Sequence, residues 1–584
     1  MARTQAEKEL VKVDTLKNLK EKGVKVVKAG GPPIAVFYHE DKVSAVDNRC
    51  PHMGFPLHKG SVNDGILTCH WHHAHFDLCS GCAFDLFAGD IPVYDAEIID
   101  DVVYVSAVPR REQDKDYHLS RLQIGLAQNI GVVRAKAIAS LVYDFAAVDA
   151  IFESITDYAL QHLQTVGDDI VTLTIARNLQ SYMSQGSIYH FLALTAQRIS
   201  SNAQQSVPFQ YTDALETSEH DFQILKRWFR HWILSRSGQA AERVLTTAVS
   251  NEMNTVELNE LVFSALTDRV FANTGHLLDA ANKVFELLPL LKNKQKSALF
   301  PLLVNSSAAG RGSEESANFH GPVELIQPME DAYAQLEKWT SANIKADWQC
   351  PADLQEILFG DDPLLIIDVL KNALLDGADP LVLSKAVTFN AAERLARFAY
   401  NNDVRDWFAP QHSYNFSNAV HQMLKRSQSP ELLRGIFHAA IATYQDRFLN
   451  KPPAKLPSEL AAPVSLPDDA DALLQQLLDD LNQKIDQRSA ANIVSHYIHQ
   501  GHDLKALIDT LCYAITREDV DFHYIQVLED SVMQLDEWNG VKEREILFIA
   551  VIRNLSAASP TRRGNYQNAT NALQLAQGKV MHED

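Results

Sequence analysis

Residues Cys50–Gly81 read CPHMGFPLHKGSVNDGILTCHWHHAHFDLCSG. Cys50-Pro51-His52 opens the stretch, and after sixteen intervening residues comes Cys69-His70-Trp71-His72, preceded by the short strand-forming run Ile66-Leu67-Thr68. Two thiol and imidazole pairs therefore sit on two loops of a small β structure. Two thiolates and two imidazoles satisfy one tetrahedral zinc ion. The same set suits two bridged irons, with both thiolates on one and both imidazoles on the other. Neutral imidazoles take negative charge away from one iron, which makes it easier to reduce. The glycines and prolines flanking the ligands and the strand setting favour the iron reading.

The surrounding residues strengthen it. Cys50-Pro51-His52-Met53-Gly54 with Leu57 and Gly60, then Cys69-His70-Trp71-His72 with Phe76-Asp77 and Ser80-Gly81, resembles in order and spacing the two cluster-binding loops of the Rieske ferredoxin-type family. The resemblance covers roughly residues 10–108. It implies one 2Fe-2S cluster held by Cys50 and Cys69 on one iron and by His52 and His72 on the other, the iron that is reduced. Two departures stand out: His73 occupies a position where the family usually has glycine, and Phe55 stands where the respiratory-complex branch carries a cysteine of a loop-to-loop disulfide. Lacking that cysteine, the domain resembles the soluble ferredoxin and ring-hydroxylase branch.

His58, His70, His73 and His75 are further imidazoles in the same region, expected as loop residues because the four ligand positions are filled. One at an exposed edge would relay a proton or mark where electrons leave. Cys79 and Cys82 form a C-x-x-C pair in a turn, whereas a thioredoxin-like pair opens a helix after a strand, so both are expected as free thiols.

The chain has 584 residues, enough for several domains, and 46% hydrophobic with 22% charged residues marks a folded protein with a large core. With 53 basic against 74 acidic residues the formal charge is −21, which argues against a nucleic-acid or anionic-membrane binder and favours a redox partner docking through a basic patch. Six cysteines, two of them ligands, are no disulfide framework. The charged N-terminal sequence lacks a signal-peptide core and no run reaches membrane-spanning length, so a cytoplasmic location without a membrane is expected.

Val24–Val27, Ile34–Phe37 and Val43–Val46 read as strands of an antiparallel meander alternating in the strand manner, and Ile91–Tyr94, Ala96–Ile99 and Val102–Val105 as closing strands, giving a small all-β domain over 10–109. From about residue 118 the apolar spacing turns helical, as in Leu225, Trp228, Phe229 and Trp232. Asp362-Pro363, Asp379-Pro380, Ser429-Pro430 and Ser559-Pro560 read as helix starts and Gly377 as a helix stop. Ser306–Pro322 reads as a polar loop. The expected fold is multidomain α+β: the β domain, an all-α domain of packed helical hairpins over 118–450, an extended proline-rich connector at 451–468, and a C-terminal helical subdomain at 469–584.

A one-electron centre does not transform a substrate by itself, so a substrate reaction would need a second site in the helical part. The D-x-x-H-x4-H run that introduces mononuclear iron in ring hydroxylases is absent, and hydroxylase activity is not carried over from the resemblance. The candidates are His499 and His502 beside His496 and Asp503; Asp519 and His523, four apart beside Glu518; and His276 and His421, which share the pattern F-x-N-x-x-H in Phe271–His276 and Phe416–His421. A second non-haem iron among these residues is one expectation; core histidines, a helix cap at Asp503 and a surface Asp519–His523 pair are the alternative. No nucleotide-binding fingerprint is present, so electrons are expected from an external reductase or ferredoxin partner. Three functions follow: an oxygenase-type oxidoreductase acting on a small-molecule substrate, a ferredoxin-like carrier with a helical docking scaffold, or a redox sensor.

Overall fold

The computed structural model describes residues 10–204, 212–216, 221–460, 466–483 and 487–579. These fall into two compact units. The first comprises residues 1–158, 192–204 and 564–584, and the second 159–191 and 205–563. The division departs from the sequence-based one: helices from 115 to 158 and the C-terminal helix belong with the β domain, and 451–468 is not a boundary.

In the first unit, β1 (Leu10–Thr15), β2 (Val24–Lys28), β3 (Pro33–His39), β4 (Lys42–Asp47), β8 (Val93–Ile99) and β9 (Val102–Pro109) form one antiparallel sheet in the order β1-β9-β8-β4-β3-β2. The meander holds for β2, β3 and β4; then the chain leaves the sheet and returns as β8. The inserted stretch carries a second sheet, β5 (Ser61–Asn63), β6 (Ile66–Thr68) and β7 (His75–Asp77).

Two details differ from the sequence reading. Ile91–Tyr94 and Ala96–Ile99 are not two strands but one, Val93–Ile99, whose register with β9 slips between Tyr94 and Ala96. A bulge of this kind carries one ladder past an extra residue without ending the strand. A short helix, Leu16–Lys22, was also missed; Thr15 caps it and Leu19 is its buried residue. The run Ile34-Ala35-Val36-Phe37 is apolar throughout because β3 is buried on both faces, so it does not alternate. Ile34 and Val36 join the core with Val103 and Val105, while Ala35 and Phe37 join the one holding Cys50, Leu57, Cys69 and Phe76.

The second unit is helical. Asp362 and Asp379 accept backbone N–H bonds at the starts of Pro363–Asp376 and Pro380–Ala396, and Gly377 ends the former at φ 104°. Pro430 likewise opens Pro430–Gln445. Ser559-Pro560 does not start a helix: Val541–Ala558 ends at Ser559, and the next helix begins at Gly564. Proline without a donor N–H serves just beyond a helix end as well as at its start. The expected polar loop at Ser306–Pro322 is helical as far as Ala309, the Ser307 hydroxyl folding back onto Leu303 O at 2.8 Å.

The described part of 451–468 is a packed strap, not an extended connector; residues 461–465 of it lie outside the described residues. Leu456 is fully buried, Ala454 N–H donates to Arg397 O, and Arg397 holds both oxygens of Glu459 at 2.7 and 2.9 Å.

Helix Phe408–Arg426 runs through the core of this unit with nearly every residue from Pro410 to Leu424 buried, many of them polar. Buried polar groups need partners. Gln411 donates to Asn554, Asn418 to Asp530 and Gln534 to Asn418 at 2.6–2.8 Å. Among the described residues no helix is long and apolar enough to cross a membrane.

Candidate functional site

The first loop follows β4, and the second closes the β6–β7 hairpin. They share one backbone pattern. Cys50 N–H donates to Phe55 O and Gly54 N–H to Cys50 O; Cys69 N–H donates to Ala74 O and His73 N–H to Cys69 O, all at 2.8–3.0 Å. The fifth residue of each loop is left-handed, Gly54 at φ 80° and His73 at φ 59°. That explains why glycine suits the position and makes His73 a strained exception. Where a disulfide is missing, Phe55 of the first loop packs against Trp71 of the second, ring centroids 6.2 Å apart. Two glycines have no room for a side chain: a Cβ on Gly60 would lie 2.4 Å from Thr68 O, and one on Gly81, at φ 78°, 2.1 Å from Ile91 O.

The loops bring the four proposed ligands together. Cys50 and Cys69 are buried at 3% and 1% exposure and interact with each other. Interaction with Cys50 pulls the Cys69 thiol down, while Cys69 and burial push the Cys50 thiol up. The His52 and His72 rings stand 4.7 Å apart. Burial, then the neighbouring His72 and Lys136, hold His52 down to about 4. It is therefore a neutral donor, and its Nδ1 is buried without a protein partner. An orphaned imidazole nitrogen beside another imidazole and a pair of buried thiols fits a cluster with two sulfur and two nitrogen ligands.

Helices of the same unit close over the His52 side. Lys136 Nζ donates to Pro51 O at 2.5 Å, Arg121 to Leu86 O and Ala88 O, and Asp90 N–H to the Tyr117 hydroxyl at 3.0 Å. Phe87 stacks edge-on at 5.0 Å from His52. His72, in contrast, is exposed. Three of the other imidazoles have local partners: His58 on Asn48, His70 on Ser61 and His75 on Asp85, at 3.0–3.1 Å. Cys79 and Cys82 are free and exposed.

The second unit sorts the remaining candidates. His276 and His523 converge, together with His412, which sequence reading missed: one ring nitrogen of each lies within 4.8 Å of the others. His412 is 136 residues from His276 in sequence, and no spacing links the two. His421 lies elsewhere, bonded to Ser384 at 2.8 Å and facing Glu537 at 3.3 Å. His499 faces Glu545 at 3.2 Å, and the His502 ring packs on Tyr497 at 4.9 Å. Asp519 is exposed, its backbone N–H donating to Thr561, and Asp503 is a helix cap for Lys505 N–H. These four candidates, His421, His499, His502 and Asp519, are outside the cluster.

Near the cluster lies a buried charge network. Lys283 Nζ sits 2.5 Å from Glu529, 3.0 Å from Glu286 and 3.9 Å from Asp530. Burial opposes its charge, but the carboxylates outweigh it and push its pKa up. Burial also raises Asp279 to about 7 and moves Glu529 and Asp530 upward.

The family model for the Rieske [2Fe-2S] domain matches residues 9–92. The chain is 42% identical over 65 residues to the 4beta-methylsterol monooxygenase of Methylococcus capsulatus, 11% of this chain and only 18% of that protein. It is 31% identical over 84 residues to the ferredoxin component of the naphthalene 1,2-dioxygenase/salicylate 5-hydroxylase systems of Ralstonia sp, 14% of this chain and 81% of that one. A solved structure, the ferredoxin of carbazole 1,9a-dioxygenase from Nocardioides aromaticivorans IC177, matches at 24% identity over 17% of this chain and 98% of its own, with a TM-score of 0.16. Paired loops, two thiols, two imidazoles and a ferredoxin relative matched over most of its length agree: through residues 9–92 the chain belongs to the Rieske [2Fe-2S] family.

Proposed function

We propose that the protein is an iron-sulfur oxidoreductase. Cys50, Cys69, His52 and His72 hold a 2Fe-2S cluster that takes one electron at a time from a separate reductase or ferredoxin. The exposed His72 ring is where that partner approaches, since His52 is covered by Phe87 and Lys136. The electron passes on to a substrate or second centre in the helical unit, in an oxygenase-type reaction. Monooxygenation consumes two electrons per dioxygen, one oxygen atom going to substrate and one to water, so the cluster is reduced twice per turnover. The observation that carries the electron-transfer reading is the buried sulfur pair beside two adjoining imidazoles on matching loops.

A second reading is a dedicated carrier, with the helical unit as docking scaffold. It is favoured by the Ralstonia relative, a ferredoxin component matched over 81% of its length. Metal and sulfide analysis with rapid reduction kinetics tests the shared core. Two irons and two acid-labile sulfides per chain, lost together in Cys69→Ser, are expected. Zinc at the same positions would end the electron-transfer reading. Dioxygen consumption by chemically reduced protein in the presence of an organic substrate panel separates enzyme from carrier: only the former shows turnover.

A further inference from the structure

We propose that His276, His412 and His523 form a binding site for one first-row divalent transition-metal ion in the helical unit. The proposal stands apart from the electron-transfer reading, because no ligand of the iron-sulfur centre belongs to this unit. His276 is the first residue of helix His276–Leu287, His412 lies in Phe408–Arg426, and His523 is the second residue of Phe522–Met533. His412 Nε2 and His523 Nε2 are 3.0 Å apart. Two nitrogens about 2.0–2.1 Å from one tetrahedral ion are about 3.3 Å apart, so small ring rotations admit a metal.

The surroundings fit a ligand set. With the Asn415 amide turned so that its oxygen accepts from His523 Nδ1 at 3.0 Å, its nitrogen donates to Asp530 Oδ2 at 2.9 Å. That bond fixes the proton of His523 on Nδ1 and leaves the Nε2 lone pair facing His412, the support a metal-bound histidine usually has. The turn that delivers His276 is strained: Phe271, Asn273 and Thr274 all have φ between 44° and 56°. Asn273 braces it by exchanging hydrogen bonds with Arg311 at 2.8 and 3.0 Å. Three left-handed non-glycine residues within four positions are costly, and such cost collects at functional sites.

The donor chemistry selects the ion. Three imidazoles suit zinc, iron, copper or nickel, and not magnesium or calcium, which prefer oxygen. The Asp521 carboxylate, 3.9 Å from His523 Nε2, offers charge balance or a fourth ligand. His276 and His412 are half-buried, and the Phe522 and Phe408 rings pack against them, so two of the three imidazoles are partly open to solvent.

The test uses the full chain with its cluster. Anaerobic titration with Co2+ after chelator treatment, with bound cobalt counted by mass spectrometry, is expected to give one ion per chain. His412→Ala is expected to remove this uptake, Asn415→Ala to weaken it about 10–100-fold, and His421→Ala to leave it unchanged. Acid-labile sulfide stays constant throughout, showing that each loss is local. Negligible uptake by the parent protein, or full uptake by His412→Ala, overturns the site. Should His412→Ala fail to fold, X-ray absorption on the cobalt-loaded parent decides: three imidazole nitrogens uphold the proposal, and fewer than two overturn it.

Discussion

At the scale of single residues, burial decides which ionisable groups keep their charge. Asp446 lies at 6% exposure; burial raises its carboxyl to about 7, against a hydrogen bond with Ser413 and the Arg394 charge, and its Oδ2 has no partner. The folded protein therefore holds a proton there that the unfolded chain releases near pH 4, and stability falls as pH rises from about 4 to about 7. Asp446→Asn, close in shape to the protonated acid, is expected to remove this slope. The variant should exceed the parent in stability by on the order of 1–3 kcal/mol at pH 8 and match it at pH 4. Chemical denaturation across that range checks it; equal slopes for the two proteins would refute the assignment.

At the scale of elements, the cluster loops depend on backbone that few residues adopt. Gly81 combines φ 78° with a backbone oxygen where a Cβ would stand. Gly81→Ala is expected to cost about 2 kcal/mol or more and to lower cluster content, measured by denaturation and by iron per chain. His73 already bears the left-handed strain, so His73→Gly should leave stability and cluster unchanged or improved, whereas β-branched His73→Val should lose about 1–2 kcal/mol. A His73→Val protein as stable as the parent would show that the loop relaxes freely.

At the scale of the whole molecule, the C-terminal helix Gly564–Ala576 belongs to the unit that contains the β domain. It packs on Gly131–Tyr143 through Ala569, Ala572 and Leu575, and Arg49, next to Cys50, donates to Gly578 O at 3.1 Å. Ending the chain after Arg563 uncovers that apolar face and frees the Arg49 side chain. The expected outcome is a cluster that bleaches several-fold faster in air, with helix content otherwise retained, read by visible absorption and circular dichroism. An unchanged bleaching rate would show that the segment is dispensable to the centre.

The amino-acid sequence determined what is local. The meeting of Cys50, His52, Cys69 and His72 was legible because all lie within 23 residues on two adjoining loops, where spacing and turn-forming glycines constrain geometry directly. Asp362, Asp379 and Gly377 were legible for the same reason, since a cap acts on its own helix. Only the tertiary structure decided what depends on long-range packing. It brought His276 and His523 together with His412 and left His499, His502, Asp519 and His421 apart from them, turned 451–460 into a strap, and joined the last helix to the first domain. Helical periodicity says which face of a helix is buried. Which distant helix that face meets is fixed by packing the whole core at once, and no local pattern records it.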